Sequence, residues 1–196
     1  MSDEIVLDLE TQKSFQEVGG RHLPHLLKIS VAGIYVYRSD TWHTFEESEL
    51  DKLEALLTGA RRIIGFNIKG FDLPVLAPYL HIPIRQLAAL DLMDAVEQAL
   101  GFRMSLANLV AHTIGGAKSA SGLDALQWWK EGKIDLIKKY CLQDVRVTRD
   151  LYEFGKKHGH VFCQTRDGRT VKIPVSWRAP SDTKEKNPYV QHQLFS

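Results

Sequence analysis

At 196 residues the chain has room for one domain of ordinary size with a well-filled core. Hydrophobic residues at 44% and charged residues at 25% exclude wholesale disorder and a fibrous repeat. The net charge is +1, yet Lys156 to Lys186 holds eight Lys or Arg against Asp167, Asp182 and Glu185. A polyanion can therefore bind at the C-terminal third while acids elsewhere stay available for metal ions.

Ile5, Leu7 and Leu9 alternate with Val6, Asp8 and Glu10, the period of a strand, which puts Asp8 and Glu10 on one face. Past Gly19-Gly20 and Pro24, the apolar stretch Leu26 to Tyr37 and, after a turn at Arg38-Ser39-Asp40, Thr41 to Phe45 complete a predicted antiparallel meander. Leu50, Leu53, Leu56 and Leu57 recur at helical spacing, and Arg61 to Phe66 resumes as a strand. A helix crossing between two strands implies a partly parallel sheet. A helix is predicted from near Gly70, carrying Phe71, Val75 and Leu76 and stopping by Pro83, then a short strand at Leu87 to Leu90.

From Leu92 onward helices dominate. Ser105 caps Leu106 to Ile114, Gly115-Gly116 breaks the chain, and Leu123 to Trp129 and Asp135 to Lys157 follow. Val161 to Thr165 and Thr170 to Val175 flank Asp167-Gly168, a strong hairpin signal, so a basic hairpin is expected after the last helix. From Arg178 the apolar pattern is lost, as in a flexible tail. No apolar run approaches a membrane span and the N-terminus is acidic, so a soluble, cytoplasmic protein without membrane contact is expected. Cys141 and Cys163 fit no zinc spacing and read as ordinary buried thiols.

Four carboxylates stand apart from the solvated charges: Asp8 and Glu10 on an apolar strand, Asp72 opening an apolar helix, and Asp144 in the last long helix. Acids on a central strand ask for a positive partner. Hard divalent cations such as Mg2+ or Mn2+ take carboxylate oxygens, and a pair of them clamps both the attacking and the leaving oxygen of a phosphoryl displacement. Taken alone, Asp8-Leu9-Glu10-Thr11 is equally compatible with a strand end whose acids face water. Tyr140 and Asp144, four apart, share one helical face, where a phenol can orient an attacking water or simply pack. Asp91 and Asp94 read as structural or solvated, the histidines show no metal spacing, and at least one of Trp128 and Trp129 reads as core.

Together, Asp8-Leu9-Glu10-Thr11, Asn67-Ile68-Lys69-Gly70-Phe71-Asp72 and Tyr140-Cys141-Leu142-Gln143-Asp144 resemble, in order, the three motifs of the DEDD 3′-to-5′ exonucleases. The resemblance runs from about Ile5 to Tyr152 and fits the tyrosine subgroup, because the position five before Asp144, histidine in the other subgroup, is Lys139. It resembles most the bacterial branch that stands alone or accompanies a helicase. The resemblance implies an α/β ribonuclease H-like fold, with a central mixed five-stranded sheet flanked by helices, to which the C-terminal β-hairpin read above is appended. The chain is then expected to divide into an exonuclease domain at 1–158, the basic hairpin at 159–177 and a tail at 178–196.

It further implies that Asp8 bridges two divalent ions, Mg2+ or Mn2+, that Glu10 and Asp144 complete the first, that Asp72 holds the second, mostly through water, and that Tyr140 orients the nucleophile. Leu9 and Thr11 would touch the terminal nucleotide, Phe71 would pack near the strand, and Asn67 would fix its loop. The expected substrate is a nucleic acid with a free 3′ end, single-stranded DNA first and with a place in DNA repair, gripped through its phosphates by the hairpin. The alternatives are an RNA-trimming enzyme of the same chemistry and a non-catalytic adaptor. At the end of the chain, Gln191, Leu194 and Phe195 resemble the QxxLF peptide that docks on the bacterial sliding clamp.

Overall fold

The computed structural model describes residues 3–116 and 122–177. The chain opens with β1 (Glu4–Thr11) and returns as β2 (Ile29–Val36) and β3 (Thr41–Phe45), the antiparallel meander that the alternation predicts. Next, α1 (Leu50–Thr58) crosses to β4 (Arg62–Gly65), and α2 (Asp72–Leu76) leads to β5 (Ala89–Asp91). β4 runs parallel to β1, and β5 parallel to β4. The order β3-β2-β1-β4-β5 makes the expected mixed sheet of five strands, with β1 at its centre. Then come α3 (Leu92–Leu100), α4 (Leu106–Thr113), α5 (Gly122–Lys130) and α6 (Ile134–His158), and a separate two-stranded hairpin of β6 (His160–Gln164) and β7 (Thr170–Pro174).

Alternation along β1 and β2 divides the interior. Leu7, Leu9 and Ile34 join Leu53 and Leu57 of α1 and Val75 and Leu76 of α2 in one cluster. Val6, Tyr35 and Ile64 join Val96 of α3, Leu109 of α4 and Val145 and Leu151 of α6 in another. Each fully buried aliphatic side chain contributes about 1.5–3 kcal/mol, so both clusters hold the central strand in place. Gly33 of β2 sets the approach of α6, because a Cβ there would lie 2.8 Å from the Cys141 sulfur. The helix rests directly on backbone at that point. It ends at Gly159, left-handed at φ 71°, whose N–H donates to Gly155 O at 2.8 Å.

One local expectation is corrected. The helix expected to begin near Gly70 and stop by Pro83 is α2, but it begins at Asp72, so Phe71 lies just outside it as the residue before its first turn. Asn67 is left-handed, at φ 62°, and the backbone N–H groups of Asn67 and Lys69 donate to Asp91 instead of to a helix. The hairpin lies where expected, with Asp167-Gly168 inside a loop of three residues between Thr165 and Arg169. Thr165 N–H donates to Arg169 O, and Gly168 takes the left-handed position at φ 82°.

Candidate active site

β1 carries Asp8 half-buried and Glu10 buried towards its C-terminal end, and α6 presents Asp144, 4% exposed, from the facing layer. Oxygen atoms of these three carboxylates lie within 4.8 Å of one another. Three like charges this close, two of them largely withdrawn from water, form a stable arrangement only around cations or protons. The all-oxygen donor set fits hard divalent ions and excludes a thiolate-type zinc site. The strand's alternation puts Asp8 and Glu10 on one face, and the packing of α6 against β1 brings Asp144 to them.

Asp72, the first residue of α2, is 3% exposed, and its Oδ1 accepts the Leu9 N–H at 3.1 Å. That bond ties the second motif to the middle of the first. Burial drives the Asp72 carboxyl up from 3.8 to about 8, opposed by backbone hydrogen bonds and reinforced by the charge of Asp91. Cys141 feels the charges of Asp8, Glu10, Asp144 and Asp72 together. Its thiol donates to Asp8 O at 3.3 Å, and burial first, then those charges, hold it protonated. Cys141 is thus packing behind the acids and no nucleophile.

Tyr140 lies one turn before Asp144, 4% exposed, and hydrogen-bonds to it. Burial first, then the charges of Asp144, Glu10 and Asp8, raise the phenol far above its usual range. It therefore stays protonated and can orient an oxygen by hydrogen bonding, but cannot serve as a base. Trp128 of α5 meets its ring edge-on at 6.1 Å and packs with Ile137 and Cys141.

The remaining predicted contacts surround this centre. Leu9 is buried in the core, and Thr11, also buried, donates its hydroxyl to Lys13 O at 2.9 Å. Phe71 is half-buried against Phe15, ring centroids 5.8 Å apart, and Arg21 lies over Phe15 at 5.7 Å. Asn67 starts the turn that delivers Asp72, with its N–H held by Asp91. Gln191, Leu194 and Phe195 lie outside the described residues.

Asp91 is a residue the motifs did not reveal as part of the site. It is 2% exposed, ends β5, caps α3 through the N–H groups of Met93 and Asp94, and accepts from Asn67 and Lys69 at 2.9 and 3.0 Å. One carboxylate thereby fixes the loop before Asp72. An acid at a strand end, just before an amphipathic helix, is an N-cap signal legible in sequence; its second role, across 24 residues, is not.

A family described as 3′-5′ exonuclease matches residues 1–157. No curated protein matches the chain. The fold is similar to part of the family B DNA polymerase of the hyperthermophilic archaeon Pyrobaculum calidifontis, with a TM-score of 0.57 and 19% identity over 78% of this chain. The matched region is 24% of the polymerase, so the similarity at that identity is one of fold. With most of its length matched by that family and its sheet in the same architecture, the chain belongs to the 3′-5′ exonucleases, as a DEDD-type member of the ribonuclease H-like superfamily.

Proposed function

We propose that this site removes nucleotides one at a time from the 3′ end of DNA, single-stranded by preference, and releases nucleoside 5′-monophosphates by hydrolysis. The observation that carries the reading is the convergence of Asp8, Glu10 and Asp144 within 4.8 Å, with Asp72 tied to the Leu9 backbone beside them. In this reading Asp8, Glu10 and Asp144 would hold one divalent ion, Mg2+ or Mn2+, and Asp8 with Asp72 would hold a second. Bound there, the ions would supply charge to the scissile phosphate and make water a better nucleophile at neutral pH.

The chain's own residues do the positioning. Asp8, Glu10 and Asp144 hold their oxygens at fixed spacing, because two sit on one rigid strand and the third on a helix packed against it. The Tyr140 phenol, kept protonated and braced by Trp128, orients the attacking water. Leu9 and Thr11 border the terminal nucleotide, Phe71 with Phe15 offers an apolar edge to the strand, and Asn67 keeps the loop before Asp72 in shape. DNA is preferred over RNA on the similarity to part of a DNA polymerase.

The proposed partition is an exonuclease domain at 1–158, the hairpin at 159–177 and a tail at 178–196 in which Gln191, Leu194 and Phe195 dock on a sliding clamp. Among the described residues no helix is long and apolar enough to cross a membrane, and a cytoplasmic place in DNA repair is part of the same proposal.

End-labelled DNA and RNA strands test it, digested with Mg2+, Mn2+ or chelator beside Asp8→Ala. The reading predicts metal-dependent shortening from the 3′ end, faster on DNA and absent in the variant. Faster loss from RNA would transfer the activity to RNA trimming, and intact strands throughout would leave a binding adaptor.

A further inference from the structure

Away from the carboxylates, an open groove of about 790 Å³ lies between the hairpin tip and the link from α3 to α4. Phe102 and Met104 line it from the link, Arg166 and Arg169 from the hairpin loop, and Arg103 stands beside them. Phe102 is 47% exposed, a large ring left in water with no core to fill. Arg166 is exposed at the turn. Arg103 and Arg169 pair with Glu97 and Asp167, but every partner in those pairs is more than one third exposed, so the pairs are weak and exchange readily for a phosphate.

The walls are rigid. Asn108 of α4 donates its amide to Gln164 O and accepts the Gln164 N–H, both at 2.9 Å. Thr113 does the same for Phe162, at 3.0 and 2.9 Å. Two side chains of α4 thus satisfy the outer edge of β6, while Val161, Cys163 and Ile173 are buried beneath it. A preformed groove with an exposed aromatic ring and guanidinium groups has the features of a single-strand binder, in which a base stacks on the ring and its phosphates meet the cations.

We propose that this groove holds the substrate strand upstream of the 3′ end, with a base on Phe102 and phosphates on Arg166 and Arg169. The inference rests on the nuclease reading above and adds where the rest of the strand goes. From Asp144, α6 carries the chain fourteen residues to His158, about 21 Å, before the hairpin begins. On the other side α3 leaves the end of β5 and runs nine residues, about 14 Å, to the link. The stretch of α6 alone corresponds to about six nucleotides at the 3.4 Å spacing of a stacked strand. None of the groove's lining residues belongs to the carboxylate cluster, so a dinucleotide held at the carboxylates reads that site without the groove, and a strand of about twenty nucleotides is the substrate that reads both.

The full chain is compared with Phe102→Ser and with the double variant Arg166→Ser/Arg169→Ser on both substrates, in Mg2+. We expect KM for the long strand to rise about tenfold in each variant with kcat kept, while dinucleotide hydrolysis is unchanged. The arginine variant also flattens the salt dependence of long-strand binding. Fluorescence anisotropy of the same labelled strand in chelator reads the groove without cleavage, and the dissociation constant should rise about tenfold there too. Unchanged affinity for the long strand, or equal losses on both substrates, would overturn the proposal. If the wild type binds the strand through these residues but cleaves neither substrate, the groove stands and the nuclease reading fails.

Discussion

Asp91 touches no atom proposed to react, yet it decides where Asp72 stands. Its carboxylate accepts the N–H groups of Asn67 and Lys69, and those bonds hold a left-handed Asn67 in a turn that ends five residues later at Asp72. Asp91→Ala frees this loop and leaves the buried Met93 N–H and the half-buried Asn67 N–H without their acceptor, lowering stability by roughly 3 kcal/mol. A shift of about 1 Å at Asp72 reduces kcat by on the order of 100-fold. Kinetics on a labelled strand should then show kcat falling more than KM rises, with more Mn2+ needed for half-activity; a loss of melting temperature alone would reduce Asp91 to a helix cap.

Asp72 carries a pH signature of its own. Its folded pKa, raised from 3.8 to about 8 mainly by burial, means that the folded state keeps a proton which the unfolded chain releases in that window. Stability of the metal-free protein therefore falls as pH rises from about 4 towards 8. Asp72→Asn keeps an acceptor for the Leu9 N–H and removes the titration, so in chelator it should melt higher than wild type near neutral pH and equally near pH 4. Added Mg2+ should narrow or reverse the gap. Parallel melting curves across that range would contradict the burial argument.

At the scale of elements, α6 matters most, because it carries both Tyr140 and Asp144 and is seated through Gly33. An Ala there puts its Cβ 2.8 Å from the Cys141 sulfur and 3.3 Å from Val145 Cγ2. Gly33→Ala should reduce stability by about 1–3 kcal/mol, as overpacking does, and slow cleavage by tilting the helix away from β1. Cys141→Ala in the same chain makes room, so chemical denaturation of both singles and the double should show the pair costing less than the sum. Additive losses would mean that the helix is seated elsewhere.

The elements were largely legible because their signals are local: alternation in β1, leucine spacing in α1, Ser105 capping α4 through the Asn108 N–H. The exact start of α2 was not. The loop before it is held by the bonds from Asn67 and Lys69 to Asp91, a contact between distant residues with no periodic trace. The hairpin was legible from Asp167-Gly168, but its loop type was not: Asp-Gly serves both a two-residue turn and a three-residue loop with glycine left-handed, and only the register of Thr165 with Arg169 separates them.

On the whole-molecule scale the two ends of β1 have opposite characters. At its start Glu4 is fully buried and matched by cations of the chain, Arg62, Arg61 and Lys156, with the Tyr152 hydroxyl also against it. Towards its other end Asp8 and Glu10 gather Asp144 and, through Leu9, Asp72. The acids of the site were legible because residue type, order and spacing survive without coordinates. Trp128 against Tyr140 and Asp91 behind Asp72 were not, since each joins elements that only the assembled fold brings together.

The central claim is that the gathered acids do chemistry that strand binding does not need. It is tested most directly by measuring cleavage and affinity in parallel for Asp144→Asn, a substitution of nearly the same shape. The account predicts that 3′-end cleavage in Mg2+ falls by about 1,000-fold or more. The dissociation constant of the same strand in chelator and the melting temperature should stay close to those of the wild type. Cleavage at the wild-type rate, or loss of binding and cleavage together in a folded variant, would contradict it.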